Sequence, residues 1–243
     1  MENKVPILDI PFINIQFDEM LALLDERVRK GEKTLVVTAN PEIVMITDEN
    51  KEYKEIVQSA DYVVPDGIGI IVASKMLNAP IMERIAGFDL MMSLLQQANT
   101  NRWKVYLLGG KDEVNQKAVK AIRETYPDLV IVGSHHGYFG SEESEGIKEE
   151  VQKLEPDLVF VALGAPRQEE WITQALPSFS KGLFMGVGGS FDILAGEAKR
   201  APDIWIRLKL EWLYRLVKQP SRWRRMLAIP HFLMKILKQR LQK

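Results

Sequence analysis

Polar residues that could bind or activate a substrate follow the β-branched runs of this 243-residue chain, where strands are predicted to end. Thr38 and Asn40 follow LVVTA, and Asp66 follows YVVP. Four glycines and one amide side chain come after three later runs: Gly109, Gly110, Gln168, Gly188 and Gly189. Open α/β sheets bind ligands at the carboxyl ends of their strands, so these residues are the first candidates for a functional site.

Asp66 is the residue best placed for catalysis. It lies between Pro65 and Gly67-Ile68-Gly69, at a predicted strand-to-helix turn. A carboxylate at such a turn could accept a proton from a substrate hydroxyl. It could equally cap the helix that is predicted to start near Ile68, as aspartate often does. The residues alone leave both interpretations open.

The glycine turns are candidate anion sites, because backbone N–H groups at a helix N-terminus suit phosphate. GVGG at 186–189 is not a G-x-G-x-x-G fingerprint, and the chain has no G-x-x-x-x-G-K-[ST], D-x-D, H-E-x-x-H or G-x-S-x-G motif. Arg84 lies within PIMERIAG (80–87), near an expected loop. By default, an arginine at such a position is a surface residue. His135 and His136 are the only histidine pair. Neighbours in sequence do not easily share one metal ion, so we interpret them as loop or core residues and predict no metal site.

Short apolar runs alternate with amphipathic stretches along the first four fifths of the chain. Runs rich in Val, Leu and Ile predict strands buried on both faces of a parallel sheet. The alternation predicts an α/β, Rossmann-like fold, with a mostly parallel sheet flanked by helices and a helical C-terminal appendage. The predicted strands are 34–40, 61–67, 104–110, 129–134, 158–164 and 183–189. We place the catalytic domain at 1–195 and the appendage at 196–243.

The appendage differs from the body in charge. Residues 196–243 hold 13 Lys and Arg against 3 Asp and Glu, whereas the whole chain has a net charge of −1. They also contain three of the five tryptophans, Trp205, Trp212 and Trp223. Two helices are expected, the first ended by Pro220 and the second kinked or interrupted at Pro230. Their wide apolar faces either pack on the body or another subunit, or contact an anionic membrane surface, which the basic charge favours.

The composition of the chain limits the kinds of site that it can form and the cellular location that is expected for it. The chain has no cysteine, which excludes disulfides and thiolate metal sites. We expect no signal peptide in MENKVPILDIPF and no spanning helix, because no stretch reaches about 18 uninterrupted apolar residues. The expected location is cytoplasmic, peripheral on the inner face of the cell membrane.

Eight segments in order carry a resemblance to a known family. They are TANPE (38–42), ADYVVPDGIGI (60–70), ERIAGFDLM (83–91), VYLLGG (105–110), ALGAPRQEEWI (162–172), GVGGSFDILAG (186–196), KRAP (199–202) and EWLYRL (211–216). Over about residues 34–226 the chain resembles the WecG/TagA/CpsF glycosyltransferase family. It departs from the pattern at Arg167, where a lysine is common, and at Met226, where an aromatic residue often stands.

The resemblance implies an inverting transfer from a UDP-sugar donor to a polyprenyl-diphosphate-linked GlcNAc acceptor. In the members most like this chain, N-acetylmannosamine passes to GlcNAc-diphospho-undecaprenol in a β-1,4 linkage, as a step of wall teichoic acid synthesis. UDP-ManNAc uronic acid or a UDP-hexose is the alternative donor, for a different surface polysaccharide. No cofactor and no metal are expected, in agreement with the missing D-x-D.

The resemblance also implies roles for single residues. Asp66 looks like the general base. The pocket residues would be Thr38, Asn40, Arg84 and Gln168. Inverting transfer without a metal needs cations for the departing diphosphate, so we hypothesise that membrane docking folds the appendage over the site. The cations would come from Arg215, Arg222 and Arg225.

Two other functions compete with the transferase. The same pocket and tail could form a non-enzymatic membrane-surface sensor of nucleotide sugars. A nucleic-acid arm is the other use of Arg, Lys and Trp, but the continuous apolar faces of the tail helices disfavour it. Those faces could also drive homo-oligomer formation.

Overall fold

The computed structural model describes residues 3–202, 204–205, 211–218 and 228–241. Its strands are β1 (Lys4–Ile7), β2 (Ile10–Ile13), β3 (Lys33–Ala39), β4 (Tyr62–Pro65), β5 (Lys104–Gly109), β6 (Val130–His135), β7 (Leu158–Ala162) and β8 (Gly182–Gly186). The helices of the body are α1 (Phe17–Arg29), α2 (Pro41–Glu49), α3 (Lys51–Ser59), α4 (Ile68–Met76), α5 (Gly87–Asn101), α6 (Asp112–Thr125), α7 (Ser141–Leu154), α8 (Arg167–Ala175) and α9 (Ser190–Leu194). A 3₁₀ turn follows α8 at Leu176–Ser178, and two tail helices span Glu211–Lys218 and Ala228–Leu241.

One sheet joins the eight strands in the order β1-β2-β4-β3-β8-β7-β5-β6. Among the strands of the described residues only the β1–β2 pair is antiparallel, so the predicted mostly parallel α/β sheet is confirmed. All six predicted strands are present. The β1–β2 hairpin was not predicted, because its two-residue turn is Leu8-Asp9, with φ of 47° and 66°, instead of the Asn-Gly or Asp-Gly that usually marks such a turn.

Apolar side chains cover both faces of the sheet. In β7, Val159 and Val161 belong to one buried cluster and Leu158 and Phe160 to the other. The first cluster also holds residues of α2, α3, α4, α7 and α8, and the second holds residues of α1, α5, α6 and α9. Burial on both faces is why these strands read as continuous apolar runs.

The carboxyl ends of β3 and β8 flank the point where the chain changes faces. The two strands are neighbours, but α2 after β3 packs on one face and α9 after β8 packs on the other. Connections that diverge in this way leave a crevice at the strand ends, where open α/β sheets bind ligands. Thr38 and Gly188 therefore lie on the two sides of the expected binding crevice.

The last helix of the chain packs against the body. Phe232 and Ile236 of Ala228–Leu241 are fully buried in the same cluster as α2 and α4. Lys235 pairs with Asp48, and the N–H of Leu8 donates to Gln239 Oε1 across 3.3 Å. The helix therefore shares the core of the predicted catalytic domain, while its opposite side is open to solvent.

Pro230 lies in the first turn of this helix, where the ring is tolerated because the first N–H groups have no partner within a helix. Among the described residues, no helix combines the length and the apolar character that crossing a membrane requires.

Candidate functional site

The Asp66 carboxylate is held by two elements that are remote in sequence. Oδ1 accepts from Nη2 of Arg84 at 3.4 Å, and Oδ2 accepts from the N–H of Gly87 at 3.3 Å. The N–H of Asp66 itself donates to Ala39 O at 2.9 Å, which ties the end of β4 to the end of β3. About a quarter of the side chain is exposed, so the carboxylate is fixed in position and still accessible to a substrate.

The helix-capping interpretation of Asp66 takes a different form in the structure. Gly67, with φ of 92°, occupies the N-cap position of α4. The carboxylate receives its N–H bond from Gly87, the first residue of α5. Asp66 thus lies at the start of a helix, but that helix, α5, begins 21 residues further along the chain, which spacing alone did not indicate.

Thr38 lies where β3, β8 and α5 meet. Its hydroxyl donates to Gly186 O at 3.3 Å. A Cβ on Gly87 would lie 2.9 Å from Thr38 Oγ1, so a side chain at Gly87 would displace α5 from the strand ends. The close approach brings the Gly87 N–H to Asp66, so Thr38 and Asp66 both lie close to Gly87.

Asn40 begins α2 and lies against the start of α4. Its Oδ1 accepts from the N–H of Ile43 at 3.1 Å, which makes it the N-cap of that helix. A Cβ on Gly69 would come within 2.5 Å of Pro41 Cγ, so the N-terminal turns of α2 and α4 touch. Asn40 therefore has a structural role whether or not its amide also contacts a ligand.

Gln168 is buried and links two loops. Its Oε1 accepts from the N–H of Gly164 at 3.2 Å and from that of Gly188 at 3.1 Å. Its Nε2 donates to Glu169 Oε1 at 2.7 Å. A Cβ on Gly186 would lie 2.4 Å from this Nε2. Gln168 thereby fixes the turns that follow β7 and β8.

Glu169 and Tyr53 extend this network into the core, and sequence analysis missed both. The Tyr53 hydroxyl donates to Glu169 Oε2 at 3.0 Å. Burial raises the pKa of Glu169 to about 7, although hydrogen bonds from Gln168 and Tyr53 lower it in part. A glutamate in the first turn of a helix, followed by Glu170, resembles a solvated residue, so the sequence carries no signal of its burial.

The glycine turns use part of their N–H groups within the protein. Gly109 has φ of 125°, and a Cβ there would meet Ala162 O at 2.4 Å. The Gly110 N–H donates to the same carbonyl at 3.1 Å. The Gly188 N–H likewise has an acceptor within the protein, Gln168 Oε1. These glycines are required for close backbone approach, and anion binding at Gly109, Gly110, Gly188 and Gly189 stays a prediction.

Tyr138 is a candidate that sequence analysis did not single out. It is 70% exposed and follows Gly137, whose N–H donates to Gly110 O at 2.7 Å. Arg167 holds this loop through Nη1 to Gly137 O at 2.7 Å and Nη2 to Phe139 O at 3.1 Å. A planar guanidinium can hold two carbonyls in a fixed geometry, which a lysine cannot, so the departure at Arg167 has a structural use.

A cavity of about 310 Å³ opens beside Arg84. Four of its lining side chains are apolar, two are basic and one is acidic. The acidic residue is Glu83, and its carboxylate accepts the Phe17 N–H at 2.8 Å. The lining residues are Ile68, Ile71, Lys75, Ile81, Met82, Glu83 and Arg84. The cavity can therefore take a ligand with both an apolar and an anionic part.

The predicted arginines of the appendage are only partly placed. Arg215 belongs to the helix Glu211–Lys218, but its side chain is outside the described part of the chain, as are Arg222 and Arg225 altogether. Their contribution to the site stays a prediction. The structure does bring Asp66, Arg84 and Thr38 together, with Asn40 at the adjacent helix start and Gln168 behind the β8 turn.

An open α/β sheet that presents a carboxylate, a guanidinium and glycine turns at the carboxyl ends of its strands has the arrangement typical of a ligand-binding site in this class of fold. The chain belongs to the "Glycosyl transferase WecG/TagA/CpsF family", whose model matches residues 5–243. The resemblance is thus confirmed, and the chain is a glycosyltransferase.

Curated relatives match along nearly the whole chain. A protein of Bacillus spizizenii strain W23 is 37% identical over 239 residues, covering 98% of this chain and 92% of the relative. One from Bacillus subtilis strain 168 is 36% identical with the same coverage. A third, from Staphylococcus aureus strain MRSA252, is 38% identical, covering 97% and 92%. Each is named N-acetylglucosaminyldiphosphoundecaprenol N-acetyl-beta-D-mannosaminyltransferase.

Proposed function

We propose that this glycosyltransferase moves N-acetylmannosamine from UDP-ManNAc to GlcNAc-diphospho-undecaprenol, with inversion and a β-1,4 linkage, in wall teichoic acid synthesis. The names of relatives that cover 97–98% of the chain support the donor and the acceptor. The observation that carries the mechanism is the Asp66 carboxylate, held between Arg84 and Gly87 beside the binding crevice.

Asp66 is the general base of this proposal. It accepts the proton of the acceptor hydroxyl while that oxygen bonds to the anomeric carbon of the donor and the carbon–oxygen bond to UDP breaks. UDP leaves with the electron pair of the broken bond. Arg84 and the Gly87 N–H hold one carboxylate oxygen each, which keeps the base oriented for a single in-line displacement.

The order of the strands supports one direction for the donor. From β4 to β5 there are four strand spacings, or about 19 Å at ~4.8 Å each. The transferred sugar belongs near Asp66 after β4, so the diphosphate would cross the turns after β8 and β7. The uridine would then reach the Gly109–Gly110 turn, where exposed Tyr138 offers an aromatic face for stacking.

Positive side chains take the charge of the departing diphosphate in this proposal, without a metal ion. The absence of a D-x-D segment from the sequence supports this, as does the basic appendage. We assign the task to Arg215, Arg222 and Arg225. The appendage completes the site only at the membrane. Hydrolysis of the donor is therefore limited when the protein is away from the membrane.

The cavity beside Arg84 suits the acceptor. Lys75 and Arg84 supply positive charge for a lipid diphosphate, and the isoleucines with Met82 supply an apolar wall for the first isoprene units. Val72 on α4 and Met82 beyond its end extend this apolar surface outwards, and they are 40% and 61% exposed. The Ala228–Leu241 helix, which packs on α4, adds exposed Met234, Leu237 and Leu241, so one side of the protein would face the inner leaflet.

A donor panel tests the proposal. UDP-ManNAc, UDP-ManNAc uronic acid and UDP-glucose are each incubated with a GlcNAc-diphosphate-lipid analogue, and the product linkage is determined. β-1,4 transfer of N-acetylmannosamine is expected to be fastest by at least about tenfold, the effect of one well-placed contact. Faster transfer of the uronic acid or the hexose would reassign the donor. Donor binding without any product would favour the sensor function.

A further inference from the structure

Three potential metal ligands meet where β6 ends. His135 is the last residue of β6, His136 follows it, and Glu143 lies in the first turn of α7. One ligand atom from each lies within 4.8 Å of the others, and the two imidazole centroids are 4.4 Å apart. Sequence neighbours do not easily share an ion, but here the strand ends at His135 and the chain turns, which places both imidazoles near Glu143.

A backbone carbonyl fixes the orientation of His135. Its Nδ1 lies 2.9 Å from His136 O, and a carbonyl can only accept, so Nδ1 carries the proton. In the neutral ring Nε2 then presents a lone pair, and it faces Glu143 Oε1 at 3.3 Å. Metal-bound histidines characteristically donate their other N–H to a carbonyl or a carboxylate in this way.

The spacing of these two acceptors suits a tetrahedral ion. Ligand atoms about 2.1 Å from a tetrahedral Zn²⁺ are separated by about 3.4 Å. The separation of His135 Nε2 and Glu143 Oε1 is 3.3 Å. Two acceptors facing each other at this distance need a cation between them, either a proton or a metal ion.

His136 supplies an independent observation. Its Nδ1 is buried and has no hydrogen-bond partner among the described residues. A buried polar atom without a partner is uncommon in proteins and calls for an explanation, such as an ion or a water. An imidazole nitrogen that joins a metal coordination sphere satisfies this requirement.

We propose that His135, His136 and Glu143 bind a Zn²⁺ ion, with a water molecule as the fourth ligand. Two imidazoles and one carboxylate select Zn²⁺ or Co²⁺ over Mg²⁺ and Ca²⁺, which prefer oxygen ligands. Glu143 is 48% exposed, so the site is open to entry from solvent.

The ion has a structural role at the edge of the sheet. From β4 to β6 there are five strand spacings, or about 24 Å, which keeps the ion away from Asp66. It connects the end of β6 to α7 across the 136–140 loop. That loop carries Tyr138 and the two carbonyls that Arg167 holds. The site therefore does not depend on the proposed sugar transfer, and its test can fail independently.

Metal titration of untagged, chelator-treated protein tests the site. The chain has three histidines and no cysteine, so His231→Ala, at an exposed position of the last helix, is a matched control. Wild type and His231→Ala are expected to bind one Zn²⁺ per chain against a chromophoric chelator, and Zn²⁺ raises their Tm while Mg²⁺ does not. His136→Ala and Glu143→Gln should bind Zn²⁺ at least about tenfold more weakly.

Cobalt gives a second readout that does not depend on variants. Co²⁺ bound to wild type should show the visible absorption of a tetrahedral complex, and added Zn²⁺ should abolish it. Wild type that binds neither ion, or His136→Ala that binds Zn²⁺ as tightly as wild type, would overturn the site.

Discussion

Gln168 Oε1 accepts the N–H of Gly188 at 3.1 Å, and this contact ties the turn after β8 to the first turn of α8. The same oxygen accepts the Gly164 N–H, so one buried amide orients the loops that follow β7 and β8. The site therefore depends on a side chain that positions the backbone, whatever else Gln168 contacts when substrate is bound.

Replacing Gln168 should affect both stability and donor binding. Gln168→Ala leaves two partly buried backbone N–H groups without their acceptor, and each loss should cost about 1 kcal/mol, the low end of the range for an unsatisfied group. We expect the free energy of unfolding to fall by about 1–2 kcal/mol and the KM for the donor to rise. Urea unfolding and initial rates measure the two effects. Gln174→Ala, at an exposed position of the same helix, is the control, and equal stability of the two variants would contradict the positioning role.

Asp66→Asn tests the general base. The amide keeps the size of the carboxylate but cannot take up the proton, so turnover should fall by about 10²–10⁴ while donor affinity changes little. Single-turnover rates and donor titration separate the two quantities. Asp18→Asn, an exposed position in the first turn of α1, should keep wild-type turnover. Near-normal turnover of Asp66→Asn would remove this residue from the role.

Glu169 should make stability depend on pH. Burial raises its pKa to about 7, from 4.5 for an unperturbed carboxyl. Between these values the native state binds a proton that the unfolded state does not, so this contribution is complete below pH 4.5 and is lost as pH rises towards 7. Over the whole interval the loss should be on the order of 3–4 kcal/mol, since one pKa unit corresponds to about 1.4 kcal/mol.

Urea unfolding from pH 5 to pH 8 measures this dependence. Glu169→Gln stays neutral and can still accept from Gln168, so its stability should fall less over the range than that of wild type. Glu149→Gln, at an exposed position of α7, should follow the wild-type curve. Parallel curves for wild type and Glu169→Gln would show that the Glu169 carboxyl is ionised throughout.

Lys75 should contribute to acceptor binding. It is the lysine of the cavity beside Arg84, and it lies in the last turn of α4. Lys75→Met removes its charge from a lipid diphosphate, and we expect the acceptor KM to rise by about tenfold, equivalent to ~1.4 kcal/mol, with little change in the donor KM. Lys120→Met on α6, on the opposite face of the sheet, is the control. An unchanged acceptor KM would place the lipid diphosphate elsewhere.

The α/β class, the six parallel strands and the position of Asp66 could be predicted because each depends on local pattern. Continuous Val and Leu runs indicate strands buried on both faces, and a polar residue directly after such a run lies at the ligand-binding edge. The β1–β2 hairpin was missed because Leu8 and Asp9 adopt positive φ without the usual turn residues.

The remaining features depend on contacts between distant segments. Glu169 is buried by Tyr53 from α3, 116 residues earlier, and the Asp66 carboxylate meets α5 because Gly87 lacks a side chain against Thr38. The two imidazoles of His135 and His136 come together because β6 ends between them. No local periodicity reports such contacts, and the fold itself has to be known before they can be identified.

The exposed side of the last helix should determine membrane binding. Phe232 and Ile236 face the core, whereas Met234, Leu237 and Leu241 are 61%, 48% and 86% exposed and Lys238 lies among them. The triple variant Met234→Gln, Leu237→Gln, Leu241→Gln loses apolar contact with acyl chains, so partition onto vesicles containing anionic lipid should fall by at least about tenfold. Its Tm should remain near wild type, because these side chains are not packed in the core. Val130→Gln, which is 40% exposed on the remote edge strand β6, should bind vesicles as wild type does. If the triple variant binds as tightly as wild type, the membrane contact lies elsewhere, with the Glu211–Lys218 helix and its exposed Trp212 as the next surface to vary.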